Sequence, residues 1–552
     1  MASERRPADP GAHDRPAGNE TGAAAHPAGE PSGAAAHPAR EVPGPAGRIT
    51  GAATNMADLV RSAAARAGSR TAILAGSTRL TWSELDAQVD AVAAGLQRLG
   101  AGPGDRVALL LGNDVPFVVS WFGALRAGLV AVPVNPGYTA PEVSHQLMDS
   151  GAAVVLVEAP LATSLAEALA PVPHVVAVGT PAWRDLTEAG EAPHPTTRGG
   201  EDIAALVYTS GTSGRPRGAM LSHRSMLANL DQAAAVASPL MTSADIVLLV
   251  LPLFHIYGLN AGLGQVAAHA ATGIIVDRFD PVDCLGVVKA EKVTNVVGAP
   301  PMYVAWSMLP DLARSFRSVR LAVSGAAPLP PDVLRRMREQ TGQPVYEGYG
   351  LTETAPVVTT TLVADDAKPG SIGRPLPGIE LRLVDEHGQE VDEDDPGEIV
   401  VRGRNLFSGY WPAGSDGPDA QGWFATGDVA YADADGDLYL VDRRRELILV
   451  SGFNVYPREV EAVLGEHPDV AEIAVIGIPH PYTGQSVKAL IVPTAGSSPD
   501  PAQLTAFAAR SLARFKCPTS VEFVPSLPHS ATGKVSKDQL RRPRSLTPGA
   551  DG

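Results

Sequence analysis

Cysteine is all but missing from this chain: its 552 residues include two, Cys284 and Cys517, far apart in sequence. No disulfide framework and no cysteine-based metal site can be built from that pair, which suits a reducing, cytoplasmic setting. Basic residues are also in deficit, with 44 Lys and Arg against 60 Asp and Glu and a formal net charge of −16. That balance argues against nucleic acid or an anionic membrane as the main partner, although a local basic cluster can still hold a small anion. Long apolar runs are absent too. The longest, Ile246 to Leu259, is too short to span a bilayer and contains His255. The first residues, Met1-Ala-Ser-Glu-Arg-Arg6, lead into no apolar stretch, so no secretory signal is expected.

What is present is an ordinary globular composition, 45% hydrophobic and 19% charged, in a chain too long for one small domain. Residues 1–54 are rich in Ala, Pro, Gly and Glu and duplicate the unit Gly22-Ala-Ala-Ala-His-Pro-Ala28 at Gly33 to Ala39. They offer little to bury and are expected to be disordered. From there apolar strands alternate with amphipathic helices. Thr81-Trp-Ser-Glu84 is a capping-box pattern, followed by Leu85, Val89, Val92, Leu96 and Leu99 at helical spacing. Arg106–Leu111, Leu129–Val134, Ala153–Val157, Ile203–Val207, Ile246–Leu251, Gly273–Val276, Asn295–Val297 and Leu321–Val323 read as buried strands. This alternation predicts an α/β fold of mostly parallel, helix-flanked sheets. After about Pro369, shorter strands with frequent Gly and Asp predict a small antiparallel, barrel-like sheet. From about Asp442 a separate α+β unit follows, with a helix near Pro457 to Leu464 and another over Pro501 to Leu512.

Between two of these elements lies Tyr208-Thr-Ser-Gly-Thr-Ser-Gly-Arg-Pro-Arg-Gly218, with three glycines and two arginines in eleven positions. Glycine removes the Cβ that keeps an anion away, so such a loop can bring N–H groups, hydroxyls and guanidinium groups against phosphate. It is not the common P-loop, because no Lys-Ser/Thr follows the last glycine. Alone, it reads equally well as a flexible surface loop.

Its company decides. Together with Pro252-Leu-Phe-His-Ile-Tyr-Gly258, Tyr346-Glu-Gly-Tyr-Gly-Leu-Thr-Glu-Thr354, Gly422-Trp-Phe-Ala-Thr-Gly-Asp428 with Asp442-Arg443, and Pro528-His-Ser-Ala-Thr-Gly-Lys534, the loop resembles the adenylate-forming superfamily. That superfamily comprises acyl- and aryl-CoA synthetases, luciferases and peptide-synthetase adenylation domains. Ser451-Gly-Phe-Asn-Val-Tyr-Pro-Arg-Glu-Val-Glu461 is similar to the segment of medium- and long-chain fatty acid–CoA ligases. The resemblance implies a large N-terminal domain (55–441), a hinge (442–446) and a mobile C-terminal domain (447–552) whose last residues are disordered. It implies that a carboxylate attacks ATP to give acyl-AMP and pyrophosphate, after which the thiol of coenzyme A displaces AMP. An aryl- or short-chain-acid–CoA ligase, an acyl-AMP ligase loading a carrier protein and an inert nucleotide-binding scaffold are the competing readings. Oligomeric state and peripheral membrane contact stay open.

The same resemblance distributes roles. Thr209, Ser210, Gly211, Thr212, Ser213, Gly214, Arg217 and Gly218 would hold phosphates, with Arg217 standing where relatives usually carry Lys. Glu353 and Thr209 would supply oxygens to Mg²⁺. Gly325, Ala326, Glu347, Gly348, Tyr349, Gly350 and Thr352 would surround the nucleotide, with Tyr349 on adenine and Thr352 reaching the α-phosphate. Asp428 and Arg443 would take the ribose. Lys534 would bridge the carboxylate and the α-phosphate, then leave by rotation about Arg445. Ser451, Gly452 and Phe453 would stand on the coenzyme A side. His255, Tyr257, Gly258, Leu259, Gly298, Met302, Ser324, Gly325 and Val357 would line the acyl pocket. The small residues Gly258, Ala261 and Gly262 serve room for an alkyl tail or close helix packing equally well.

Overall fold

The computed structural model describes residues 48–188, 190, 192–209, 216–236, 240–363, 367–392, 395–443, 446, 448–450, 453–480, 484–512, 514–529 and 534–541. Most of the expected N-terminal tail lies outside these residues. Its last part does not behave as a tail: Thr50 is buried, and both its N–H and its hydroxyl donate to the Asp231 carboxylate, at 3.1 and 2.9 Å.

Two helix-flanked sheets form the bulk of the chain. The first has six strands in the order His174–Ala177, Val154–Val157, Arg106–Leu110, Val130–Pro133, Ile203–Thr209 and Arg217–Ser222. All its pairings are parallel except the last hairpin. Val154–Val157 and Val130–Pro133 are buried at every position, as strands covered on both faces must be. The second sheet has nine strands, in the order Arg374–Pro375, Val357–Thr360, Val345–Gly350, Leu321–Ser324, Asn295–Gly298, Ile246–Leu249, Thr272–Ile275, Thr71–Ala75 and Thr78–Thr81. It is parallel in the middle and antiparallel at both ends. The Thr71–Thr81 hairpin is absent from the sequence reading: its first strand carries only the short apolar run Ala72–Ala75, and its second is polar and mostly exposed.

The helix Trp82–Arg98 begins at the predicted capping box, where Thr81 and Glu84 exchange hydrogen bonds. Its Leu85, Val89, Val92 and Leu96 are fully buried and pack in one core with Phe117, Trp121 and Phe122 of the helix Val115–Arg126. Gly123 allows the close approach: a Cβ there would stand 2.6 Å from Val92 Cγ1. Burial of each such side chain contributes about 1.5–3 kcal/mol.

The expected small antiparallel unit is a curled sheet of four strands, Ile379–Val384, Gly397–Gly403, Trp423–Ala432 and Leu438–Arg443. The C-terminal part carries a five-stranded sheet of its own, built on the long pair Val470–His480 and Gly484–Pro493. The helix Pro457–Gly465 packs on it through Val460 and Leu464.

Candidate active site

The carboxyl ends of the central strands open into one cavity of about 1730 Å³. That is where ligands bind in open α/β sheets, because the loops leaving parallel strands converge there.

At one end the walls are polar. Thr209 and Arg217 face each other across the antiparallel hairpin, and both line the cavity. The loop between them, including Ser210, Gly211, Thr212, Ser213 and Gly214, lies outside the described residues. The Arg217 guanidinium lies 3.7 Å from the centroid of the Tyr410 ring and ion-pairs with Asp416 at 2.5 Å. Its Nε is buried without an acceptor. Tyr410 donates its hydroxyl to Glu353 Oε1 at 2.5 Å, and burial together with that carboxylate pushes the phenol up. Glu353 sits on the short turn Thr352–Thr354, is 8% exposed and lines the cavity with Thr352. A cation stacked on an aromatic face, with one donor unmet, is suited to receive an anion.

Gly348, Tyr349 and Gly350, at the end of the strand Val345–Gly350, form the adjoining wall. The Tyr349 hydroxyl donates to Asp428 Oδ2 at 2.8 Å, and both residues are buried. Asp428 and Arg443 are register partners in the curled sheet. Gly325 and Ala326 close the turn after Leu321–Ser324, where Ala326 takes a left-handed φ of 73°. Such strain concentrates at functional turns. Glu347, Gly218 and Asp428 are not among the wall residues. Glu347 is buried, accepts the Leu329 N–H at 2.9 Å, and burial raises its carboxyl to about 7. Gly218 packs against the Tyr208 ring.

Beyond this end the cavity passes His255 and Tyr257 and becomes apolar. His255 Nδ1 accepts the Tyr257 N–H at 3.2 Å, which leaves the proton of the neutral ring on Nε2. Burial pushes this imidazole down to about 4, and the Lys534 charge adds to the effect. His255 is thus a neutral wall group, not a base held ready near pH 7. Tyr257 opens the π-helix Tyr257–Gly264, and its ring occupies space that only glycine leaves at 325: a Cβ there would stand 2.8 Å from Cζ.

The wall expected to hold the acyl group differs in part from expectation. His255, Tyr257, Gly325 and Val357 line it, whereas Gly258, Leu259, Gly298, Met302 and Ser324 do not. A Cβ on Gly258 would collide with the Pro252 carbonyl, so close packing explains that glycine. Leu259 and Met302 are core residues, 1% and 4% exposed. Gly298 lies under Tyr303 and accepts from the Tyr257 hydroxyl, and Ser324 is buried. In their place stand Val236, Met241, Ala261, Gln265, Asn295 and Val323, among others. In sequence Ala261, Gln265, Asn295 and Val323 carry ordinary strand and helix periodicity, which does not separate a pocket wall from a core, and Val236 and Met241 lie in a connection with no period at all.

The C-terminal part completes the cavity with Lys534, Ser536 and Lys537. Lys537 Nζ lies 3.0 Å from Glu446 and 2.8 Å from Glu461, tying the segment after Lys534 to both the entry of this unit and the helix Pro457–Gly465. Arg445, Ser451 and Gly452 lie outside the described residues, and Phe453 is described only as part of the strand Phe453–Val455.

Comparison with known proteins agrees with this architecture. The AMP-binding enzyme family matches residues 60–411, and the AMP-binding enzyme C-terminal domain matches 459–534. The chain belongs to the adenylate-forming AMP-binding enzymes. It is 34% identical to a long-chain-fatty-acid–CoA ligase of Bacillus subtilis (strain 168), over 87% of this chain and 93% of the relative. It is 38% identical to a feruloyl-CoA synthase of an Amycolatopsis species, over 86% and 95%. Among solved structures, ATP-bound MatB from Rhodopseudomonas palustris superposes with a TM-score of 0.82 at 33% identity, covering 88% of this chain and 98% of the other. Within the family this protein is an ATP-using, AMP-forming acid–CoA ligase of the acyl/aryl class. Among the described residues, no helix is long and apolar enough to cross a membrane.

Proposed function

We propose that the protein activates a carboxylic acid with an elongated, mostly apolar body, a fatty acid on the first reading, and transfers it to coenzyme A. What carries this reading is the continuity of one cavity, from Arg217, Glu353 and Lys534 past the neutral His255 into walls of Ala261, Val297 and Val323. The first half-reaction brings a carboxylate against a triphosphate, so positive charge and fixed donors matter more than a base. Lys534 neutralises the charge that develops between carboxylate and α-phosphate, and Arg217 holds the outer phosphates with its unmet Nε. Tyr349 covers the adenine, and Asp428 with Arg443 receives the ribose hydroxyls. Glu353 and Thr209 are hard oxygen donors on the cavity wall and suit Mg²⁺, which takes few protein ligands and would neutralise phosphate charge.

Lys534 lines the same cavity, and on this reading it must withdraw before a thiol can reach the acyl-AMP. The C-terminal part therefore turns about Arg445 once acyl-AMP has formed, bringing Ser451, Gly452 and Phe453 to the coenzyme A side. A second reading, an aryl acid of feruloyl type, is favoured by the amides of Gln265 and Asn295 in the cavity wall. A panel of saturated, arylalkenyl and short acids, assayed for AMP release with coenzyme A, tests both. Turnover confined to short acids contradicts the elongated pocket, and turnover only with a carrier-protein thiol contradicts the acceptor.

A further inference from the structure

The far wall of the acyl cavity is built by two periodicities that arrive at the same depth. On the helical side Tyr257, Ala261 and Gln265 recur every fourth residue along one face, so Gln265 lies roughly 10 Å beyond Tyr257 along the axis. On the sheet side Asn295 and Val297 are register partners of Leu321 and Val323, all on the cavity face. Asn295 opens its strand three residues before Gly298, whose carbonyl accepts the Tyr257 hydroxyl, and that spacing is again about 10 Å. Both walls are apolar until that depth, where each ends in a side-chain amide.

Neither amide is a surface group. Gln265 is 3% exposed and Asn295 is 0% exposed. Gln265 donates Nε2 to the Leu230 carbonyl at 3.2 Å, which leaves Oε1 buried with no donor. Asn295 is best satisfied with its NH₂ toward Thr294 Oγ1 at 2.9 Å and Asp245 Oδ1 at 3.2 Å. That amide is thereby spent on Thr294 and Asp245, and Asn295 closes the cavity wall beside Gln265. A buried acceptor without a donor is costly, and a pocket meant for a plain alkyl tail has no use for one.

We propose that Gln265 and Asn295 form a subsite for a hydroxyl carried at the distal end of the acid substrate. The proposal rests on the acid–CoA ligase reading and narrows its substrate class. The hydroxyl donates to Gln265 Oε1, and the apolar walls hold the body between it and the carboxylate. A second carboxylate is disfavoured there, since it would meet the acceptor oxygen of Gln265. The hydroxyl can be phenolic, on an arylalkenyl acid, or terminal, on an alkyl chain.

Steady-state rates of AMP release with coenzyme A on two matched pairs separate these outcomes: para-hydroxycinnamate with cinnamate, and ω-hydroxydecanoate with decanoate. In at least one pair, kcat/KM is expected to favour the hydroxylated member about tenfold or more, since a site built to bond a hydroxyl rejects the analogue lacking it. The pair showing the preference identifies the source of the hydroxyl. Gln265→Leu should bring the hydroxy acid to or below its plain partner, mainly through KM, while the KM for ATP stays put. Asn295→Val should narrow the same preference, so that a misfolded first variant leaves a second reading. Equal or better use of both plain acids by the unaltered protein overturns the subsite. No AMP release with any of the four acids would instead sink the elongated-acid reading beneath it.

Discussion

The two ends of the cavity are made in different ways. The nucleotide end is assembled from loops and strand termini that bring rare combinations together: an arginine stacked on Tyr410, a tyrosine hydrogen-bonded to Glu353, and Tyr349 bonded to Asp428. The acyl end is assembled from alternate strand residues and one helix face, and it differs from a packed core only in what is missing between the walls. Charge chemistry demands particular side chains at particular positions. An apolar pocket demands only shape, which many residue choices supply.

The contrast can be broken from either end. Glu353→Gln should slow pyrophosphate release by about 100-fold at saturating acid, because it removes a carboxylate from the phosphate-facing wall. An effect on the acid KM alone would place Glu353 at the wrong end. Ala261→Trp should fill the tunnel and cost elongated acids about 10–100-fold in kcat/KM, while ATP KM moves little. If short and long acids suffer alike, the tunnel does not run past Ala261. Tyr410→Phe deletes the hydrogen bond to the Glu353 side chain and should raise the KM for ATP about tenfold. An unchanged value would make that bond a bystander.

The smallest effect concerns pH. His255 titrates near 4 when folded against 6.5 unfolded, so between these values the unfolded chain holds the extra proton. Stability is therefore lost as pH falls from 6.5 towards 4 and levels off below, a slope worth about 1–2 kcal/mol for a ring that is partly buried. Glu347, raised to about 7 by burial, contributes the opposite slope: between 4.5 and 7 the folded chain holds a proton the unfolded chain has released, so stability is lost as pH rises. Urea denaturation of His255→Asn beside the unaltered protein isolates the imidazole, and identical pH profiles would place it in open solvent.

Legibility in the sequence followed the same divide. The capping box at Thr81 and the Val-rich strands needed only local rules, and both stand where the pattern put them. Tyr349, Thr352, Glu353, Thr209 and Lys534 came from motif resemblance and share one cavity. Gln265 and Asn295 carried no local signal. An amide within a buried strand or helix is noticed only once the register with Leu321 and the spacing from Tyr257 are known. Thr50 was lost for a related reason: its partner Asp231 is 181 residues away.

The central claim is that a lysine from the C-terminal part completes the nucleotide site for the first half-reaction only. Lys534→Ala, assayed separately for acyl-AMP formation from ATP and acid and for thioester formation from supplied acyl-AMP, tests it most directly. The account predicts that the first falls by about 100-fold or more and the second stays within a few-fold; equal loss of both would contradict it.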